Sequence, residues 1–147
     1  MQSEKETERR QSPQQLIDSI IIERKQLLAF LFQATNINTP DNEFLEEFCQ
    51  ILVDYIAAGH FILYDRILAN KERRKTIIEL AEIIYPEIEK YTQVALDFNE
   101  KYNSNQNDID GEKLKNDISI LGEALTARIE LEDKLISSLT NELQQAG

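Results

Sequence analysis

The stretch Phe48–Leu68, FCQILVDYIAAGHFILYDRIL, constrains the fold more than any other part of the chain. It contains no helix breaker except Gly59, and its apolar residues occur nearly all the way round a helical wheel. A helix that is apolar on all sides is buried in a protein or spans a membrane. A span needs about 20 consecutive apolar residues, and Asp54, Asp65 and Arg66 interrupt such a run. The stretch therefore predicts the central helix of a bundle, about 30 Å long.

Three further segments have the apolar spacing of helices. Ser12-Pro13 and Thr39-Pro40 each combine a residue that can cap a helix with a proline suited to its first position. We expect helices to begin there, the first ending near Thr35-Asn36 and the second continuing to Ala69 or Asn70. The last helix is expected to begin near Asp110-Gly111, after a polar loop.

The third helix follows an apolar pattern that Pro86 interrupts. Proline removes a backbone hydrogen bond, costs about 3 kcal/mol inside a helix and disfavours helix at the preceding residue. We therefore expect this helix to be kinked or broken near Tyr85. No segment alternates like a strand, so the predicted fold is all-α: an antiparallel four-helix bundle of residues 12–145 behind a flexible, charged tail of residues 1–11.

The charge balance and the single cysteine limit the classes of function. A net charge of −11 argues against direct nucleic-acid binding, which requires a basic face. It fits either a partner that is itself basic or simply a soluble protein of the crowded cytosol. Cys49 has no second cysteine with which to form an intramolecular disulfide. The N-terminus, MQSEKETERR, lacks the apolar region of a signal peptide. We therefore expect a cytoplasmic protein that does not associate with membranes.

Several charged residues lie on or beside the apolar faces of the predicted helices. They are Arg24 in the first helix, Asp54 in the second, and Glu123, Arg128 and Glu132 in the last. An isolated buried charge costs several kcal/mol, so we expect these residues to pair with one another or to line a wet cavity. Such a network would either fix the register of the helices or shape and support a binding surface.

The residues that carry most enzyme chemistry are too sparse for an active site. His60 is the only histidine, and Ala57 stands three positions before it, where a ferritin-like metal site needs a glutamate. Cys49 has no second histidine to activate it and is expected to be an inert buried thiol. The four glycines are scattered, so no phosphate-binding loop is predicted. We expect no catalytic, metal or cofactor site.

Two long segments resemble the Rsd/AlgQ family, regulators of the primary bacterial sigma factor (regulator of sigma D). The first is Phe48–Leu68, which contains the pattern DY-x3-GHF-x2-Y. The second is Leu121–Leu139, LGEALTARIELEDKLISSL, which contains GEAL-x-AR. Glu23–Leu28 and Tyr85-Pro86 add weaker support, and together the matches cover nearly the whole chain from residue 14 to about residue 140.

The resemblance implies a cytoplasmic anti-sigma factor. Such a protein binds region 4, the promoter-recognising C-terminal domain of the primary sigma factor, and keeps it from core RNA polymerase and from the −35 promoter element. The competition for core RNA polymerase then shifts toward alternative sigma factors, typically in stationary phase. Carried over by position, the resemblance implies Asp54 as the principal sigma-binding residue. The candidates for the rest of the surface, or for its supporting polar network, are His60, Tyr64, Arg24, Glu123 and Arg128.

Two alternatives to this hypothesis stay open at the level of sequence. The bundle would instead bind a small ligand or a metabolic regulatory protein through a polar-lined interior if Arg24, Asp54 and Glu123 lined an internal cavity. In the second alternative, the excess apolar surface of the second helix is buried in a homodimer. The mass in solution would then rise with protein concentration. The anti-sigma hypothesis is compatible with a monomer when the protein is free.

Overall fold

The computed structural model describes residues 13–36, 40–68, 73–103 and 109–146, and these form four helices without a strand. Helix α1 spans Pro13–Asn36, and α2 spans Asn42–His60 and continues into a π-helix over Phe61–Leu68. Helix α3 spans Lys75–Tyr102, and α4 spans Gly111–Ala146. The expected all-α four-helix architecture is confirmed. None of the helices in the described ranges has the length and apolar character needed to cross a membrane.

Capping carboxylates account for where two of the helices begin. Asp41 accepts a hydrogen bond from the backbone N–H of Phe44 (2.8 Å) at the start of α2. Asp110 accepts bonds from the N–H groups two and three residues further on (3.1 and 3.3 Å) at the start of α4. The predicted start of α4 is confirmed. The predicted start of α2 at Thr39-Pro40 is early, because the extended backbone of Asp41 (φ −81°, ψ 172°) turns its carboxylate toward the first turn.

Helix α1 has the expected C-terminus. It ends at Asn36, where the side chains of Thr35 and Asn36 both donate to the Phe32 carbonyl oxygen (2.7 and 2.8 Å) and so satisfy an end carbonyl. The proposed cap Ser12, the proposed cap Thr39 and the predicted tail, residues 1–11, all lie outside the described residues.

Pairs of contacting residues show that neighbouring helices are antiparallel. Arg24 of α1 contacts Tyr55 of α2, whereas Phe30, further along α1, contacts Phe44, further back along α2. The same reversal relates α2 to α3, since the Phe48 ring lies near Phe98 and the Tyr64 ring near Tyr85. Helix α4 packs on both α3 and α1, which closes the ring of four helices. The fold is therefore the predicted antiparallel bundle.

Helix α3 runs through Pro86 without a break. Pro86 cannot donate to the carbonyl of Glu82, but both residues lie on the exposed side of the helix, where that carbonyl can bond water. Ile84 and Ile88, on the opposite side, are buried and hold the adjoining turns in the core. Of the two expected outcomes, the break near Tyr85 is excluded, because packing of the apolar face outweighs the proline's cost.

The end of the central stretch departs from the α-helix that its sequence predicts. From Phe61 to Leu68 the backbone is a π-helix, in which hydrogen bonds reach the fifth residue rather than the fourth. Ile62 and Ile67 are both buried there. Five residues span about 500° of an α-helix, so the two side chains would point about 140° apart, whereas the wider π turn brings them to the same side. The expected end at Ala69 or Asn70 lies outside the described residues.

The two halves of the bundle are packed differently. One half, where α2 begins and α3 ends, is filled by aromatic rings whose successive centroids lie 4.7 to 6.4 Å apart. We call it the aromatic half, defined by Phe30, Phe44, Phe48, Phe98 and Tyr102. In the other half, where α2 gives way to the π-helix, charged groups enter the interior. We call it the polar half, defined by Arg24, Tyr55, Arg128 and Glu132.

Candidate protein-binding surface

The outer side of α2 carries a line of exposed residues along the polar half. Its members recur every three or four residues and are Gln50, Asp54, Ala57, His60 and Tyr64. Gln50 Nε2 donates to Asp54 Oδ1 (3.0 Å), which holds the carboxylate against its own helix while leaving it in solvent. We call this line the α2 ridge. Three of the predicted site residues, Asp54, His60 and Tyr64, therefore share one surface.

On one side of the α2 ridge lies a groove between α1 and α2, about 430 Å³ in volume. Its acidic residues are Asp54 and Glu23, and Ser19 and Phe61 contribute to its walls. Burial raises the pKa of the Glu23 carboxyl, and the charge of nearby Asp54 raises it further. Glu23 Oε2 is buried and has no hydrogen-bond partner among the described residues. The groove thus holds two carboxylates that repel each other.

On the other side of the α2 ridge lies a larger groove between α2 and α3, about 610 Å³ in volume. Aromatic rings line its edge: His60 stacks on Tyr64, with centroids 5.2 Å apart and planes inclined by 10°, and Tyr64 lies 6.0 Å from Tyr85. A hydrogen bond to Glu89 raises the pKa of Tyr85 to about 12, so its hydroxyl stays protonated at neutral pH. The walls are largely apolar, and Arg128 of α4 reaches the groove from the interior.

Beneath the ridge, a buried polar network ties α2 to α1 and α4. The Tyr55 hydroxyl donates to Glu132 and accepts from Arg24 Nε (3.4 Å). Glu132 also pairs with Arg24 Nη2 (3.4 Å) and with Arg128 Nη2 (3.6 Å). Burial and the charge of Glu132 raise the pKa of the Tyr55 hydroxyl. At the solvent edge, Arg24 Nη1 donates to Asp133 Oδ1 (2.7 Å).

At Gly59 the backbone of α2 lies directly against this network. A Cβ atom added at Gly59 would lie 2.8 Å from Arg128 Nη2 and 2.8 Å from Glu132 Oε2, so the ends of both side chains would have to move. A glycine inside a helix usually costs about 1 kcal/mol relative to alanine. Here the missing side chain makes room for the ion pair, so Gly59 links the two segments on which the family resemblance rests.

The structure separates two of the predicted network residues from the rest. Asp54 and Glu123 are exposed and take no part in the buried network, and they do not line a cavity with Arg24. Helical geometry explains both cases. Asp54 follows the core residue Leu52 by two positions, or about 200°, and Glu123 precedes Glu132 by nine positions, or about 180° of net rotation. Glu123 instead borders the groove between α1 and α4.

Sequence reasoning identified Arg24, Arg128 and Glu132 but missed the groups that complete their surroundings. Tyr55 belongs to the DY-x3-GHF-x2-Y pattern of the resemblance but is not among the predicted site residues, although a buried tyrosine hydroxyl usually needs a partner. Glu23 and Tyr85 lie in segments that carry the resemblance, yet no spacing rule connects them with α2. Their roles depend on which helices become neighbours, and local pattern does not determine that.

The remaining chemically reactive side chains do not form an active site. Cys49 is 1% exposed, and burial raises the pKa of its thiol to about 11, which keeps it protonated. His60 lies on the surface. Within the described ranges there is no group of three or more histidine, cysteine, aspartate or glutamate residues that could hold a metal ion.

Comparison with known proteins identifies relatives along nearly the whole chain. The family model described as "Regulator of RNA polymerase sigma(70) subunit, Rsd/AlgQ" matches residues 1–140. A protein of Yersinia enterocolitica named regulator of sigma D is 36% identical over 95% of this chain and 89% of its own length. Its namesake in Enterobacter sp. strain 638 is 35% identical over 99% of this chain and 93% of its own length.

A regulator of sigma D from Escherichia coli O139:H28 is also 36% identical, over 88% of this chain and 87% of its own length. No solved structure matches the chain significantly. The resemblance inferred from the sequence is confirmed, and with it the expectation of a regulatory protein rather than an enzyme. The chain belongs to the Rsd/AlgQ family of regulators of the RNA polymerase sigma(70) subunit.

Proposed function

We propose that this protein is a cytoplasmic anti-sigma factor that binds region 4 of the primary sigma factor. Bound region 4 would be withheld from core RNA polymerase and from the −35 promoter element, leaving core enzyme to alternative sigma factors in stationary phase. The protein would act stoichiometrically and be a monomer when free. Family membership and relatives named regulator of sigma D support this proposal.

The proposal rests on one observation: in this member of a family of sigma regulators, the carboxylates of Asp54 and Glu23 lie together in the groove between α1 and α2. A sigma domain that reads a promoter must meet DNA phosphates and therefore presents basic side chains. A lysine or arginine of such a domain, entering beside Asp54, would meet both Asp54 and the repelled carboxylate of Glu23. The net charge of −11 would also attract a basic partner over longer distances.

The groove between α2 and α3 supplies the apolar part of the proposed interface. Tyr64 is 43% exposed and stacks on His60, which makes it a rigid aromatic surface beside the ridge. Leu96, across the groove on α3, is 41% exposed. Aromatic side chains of this kind are common at the centres of protein interfaces. A contact of about 800 Å² on this protein would suffice for a stable complex.

We assign Arg24 and Arg128 a supporting role in this interface. Both lie under the α2 ridge. Arg24 joins three helices, because it donates to Tyr55 of α2 and pairs with Glu132 of α4, and the Arg128 guanidinium packs over the Tyr55 ring at 5.5 Å. A partner that reads the ridge depends on the position of α2, because a shift of about 1 Å in a supporting element weakens a preorganised site. Glu123 lies away from the ridge, on the groove between α1 and α4, and the proposed interface does not require it.

Co-purification tests the proposed partner and the proposed domain together. The tagged protein is mixed with the primary sigma factor of its host, either intact or lacking region 4. We expect retention of the intact factor in a one-to-one ratio and loss of the truncated one. Equal retention of both forms would contradict the assignment to region 4. Failure to retain the intact factor would contradict the proposed function as a whole.

A further inference from the structure

The interior of the polar half holds more positive than negative charge. Two guanidinium groups, of Arg24 and Arg128, face the carboxylate of Glu132, whose side chain is 7% exposed. The second carboxylate, of Asp133, serves only Arg24 and is 54% exposed. Buried charges are normally matched by partners of opposite sign. Arg128 shares Glu132 with Arg24 and keeps one contact to it, at 3.6 Å.

Arg128 has donors that the protein does not use. Its side chain is 2% exposed, and its Nε and Nη1 atoms have no hydrogen-bond partner among the described residues. The ring of Tyr55, 5.5 Å from the guanidinium carbon, covers part of the group but supplies no acceptor to those atoms. A buried donor without a partner costs free energy, and more so when it is charged. Glu132 Oε2 is also without a hydrogen-bond partner among the described residues, but the two free donor positions of Arg128 are available to a ligand.

These donors lie at the groove between α2 and α3. Arg128 forms part of that groove, whose volume of about 610 Å³ is within the range of small-molecule sites. Apolar side chains make up most of its walls, namely Val53, Ile56, Phe61, Leu63, Ile88 and Leu96. The groove runs beside the π-helix, a feature frequently found at functional sites.

We propose that this groove binds a small organic carboxylate, with the carboxylate on Arg128 and an apolar body along the groove. A guanidinium is the side chain best suited to a carboxylate, because its donors lie in one plane. Asp65 and Glu89 also border the groove and would repel additional negative charge. The site therefore favours a ligand with one charge and an aliphatic or aromatic body over phosphate and polyphosphate compounds. The proposal does not depend on sigma binding.

Three simple probes separate the two parts of the site. Sodium hexanoate carries the charge and the apolar body, 1-hexanol only the body, and inorganic phosphate only the charge. Each is titrated at constant ionic strength into the ¹⁵N-labelled full chain, and the Arg128 Nε–H signal and the backbone signals of Ile88 and Thr92 are followed. Hexanoate is expected to shift these signals saturably, and to bind at least about tenfold more tightly than the other two probes.

Two substitutions test the location. Arg128→Lys keeps the charge but loses the planar donors and should weaken hexanoate binding at least about tenfold. Thr92→Phe should also weaken hexanoate binding at least about tenfold, because the phenylalanine fills the groove. If Arg128→Lys does not fold, Thr92→Phe still tests where hexanoate binds. Thr126→Phe is the matched control: both threonine hydroxyls bond the carbonyl four residues back, at 2.7 and 2.9 Å, but Thr126 lies on the groove between α1 and α4. It should bind hexanoate as the wild type does.

The opposite results would overturn the proposal. It fails if hexanoate produces no saturable shift, or if 1-hexanol binds equally well, since the groove would then be merely apolar. It fails equally if phosphate matches hexanoate, because the apolar body would contribute nothing. Unchanged hexanoate binding in Thr92→Phe would place the carboxylate elsewhere. Loss of sigma binding alone leaves each of these outcomes unaffected.

Discussion

The aromatic and polar halves of this bundle use the same four helices but hold them together by different means. In the aromatic half, rings such as Phe48 and Phe98, with centroids 5.8 Å apart, fill the space between α2 and α3. In the polar half, Tyr55 and the Arg128–Glu132 pair occupy the corresponding space next to α4. Apolar packing stabilises without regard to direction, whereas a buried ion pair requires definite geometry and is a weak source of net stability.

The difference indicates a division of work between the halves. The aromatic half supplies stability, and at its edge Tyr102 donates to Asp117 (2.5 Å). The polar half contains the π-helix, Gly59 and the two grooves that flank the α2 ridge. Local departures from the best-packed structure concentrate where a protein binds something. We infer that the polar half is less stable than the aromatic half, and that its buried charges fix the shape of the binding surface.

The largest effect should come from removing the shared carboxylate of the polar half. Glu132→Ala leaves the buried guanidinium of Arg128 and the partly buried one of Arg24 without their common partner. It should lower the free energy of unfolding by about 3–5 kcal/mol. Urea unfolding followed by far-UV circular dichroism measures it. A loss below about 1 kcal/mol would show that water already satisfies these groups.

The double variant Arg128→Met/Glu132→Leu distinguishes a stranded charge from lost packing. It replaces the pair by apolar side chains of similar volume and should recover part of the stability that Glu132→Ala loses, because Arg128 is no longer stranded and Arg24 keeps its bond to Asp133. Phe48→Ala in the aromatic half should also cost about 3–5 kcal/mol, but from the cavity it leaves. If the double variant stays as unstable as Glu132→Ala, the polar half is a stabilising element and the proposed division is wrong.

The second effect compares two helical glycines. Gly59→Ala should destabilise by about 1–3 kcal/mol, because the new methyl group would meet the confined ends of Arg128 and Glu132 at 2.8 Å. Gly122→Ala on α4 should instead stabilise by about 0.5–1 kcal/mol, because its Cβ would lie 3.8 Å from Leu31 and helix propensity improves. Thermal unfolding of both variants checks the signs. A gain in Gly59→Ala would contradict the close contact.

A smaller, pH-dependent effect is expected in the aromatic half. Burial alone would raise the pKa of Asp117, but hydrogen bonds from Lys101 and Tyr102 lower it more, so the net pKa lies below 3.8. Its stabilisation is therefore complete above pH 3.8 and is lost as pH falls through the lowered pKa. Asp117→Asn should cost about 1 kcal/mol at pH 7 and less in strong acid. A difference independent of pH would contradict this assignment.

The smallest effect, and one of opposite sign, is expected in the polar half. The pKa of Glu23 is raised, so its ionised form destabilises the fold above that pKa, and the cost disappears as pH falls to the ordinary value of 4.5. Glu23→Gln should therefore stabilise the free protein at pH 7 by about 0.5 kcal/mol, with the gain vanishing in acid. Destabilisation at pH 7 would mean that Glu23 already has a favourable partner.

Much of this fold could be predicted from sequence because the signals are local. Apolar periodicity identified the four helices, and the start of α4 at Gly111 follows from the capping residue Asp110. The pairing of Arg128 with Glu132 could also be predicted from sequence, because residues four apart face each other on one helix. The π-helix could not be predicted in this way, since it depends on burying Ile62 and Ile67 together against neighbouring helices.

The candidate site was harder to predict because it is formed by contacts between helices. The sequence pattern predicts Asp54 and Glu123 on or beside the apolar faces, in ion pairs or around a wet cavity, whereas their angular positions put both on the outside. The role of Gly59 depends on the arrival of Arg128 from α4, and that of Glu23 on its nearness to Asp54. Only the resemblance to a family singled out the α2 ridge in advance.

The most direct test of the central claim is calorimetric titration of isolated sigma region 4 into the wild type, Asp54→Asn and Glu130→Gln. Each variant loses one exposed carboxylate, but Glu130 lies on α4, by the groove with α1 and away from the α2 ridge. If the ridge in the polar half binds region 4, Asp54→Asn should weaken the affinity by about tenfold and Glu130→Gln by less than about twofold. Equal affinities for all three proteins would contradict the claim.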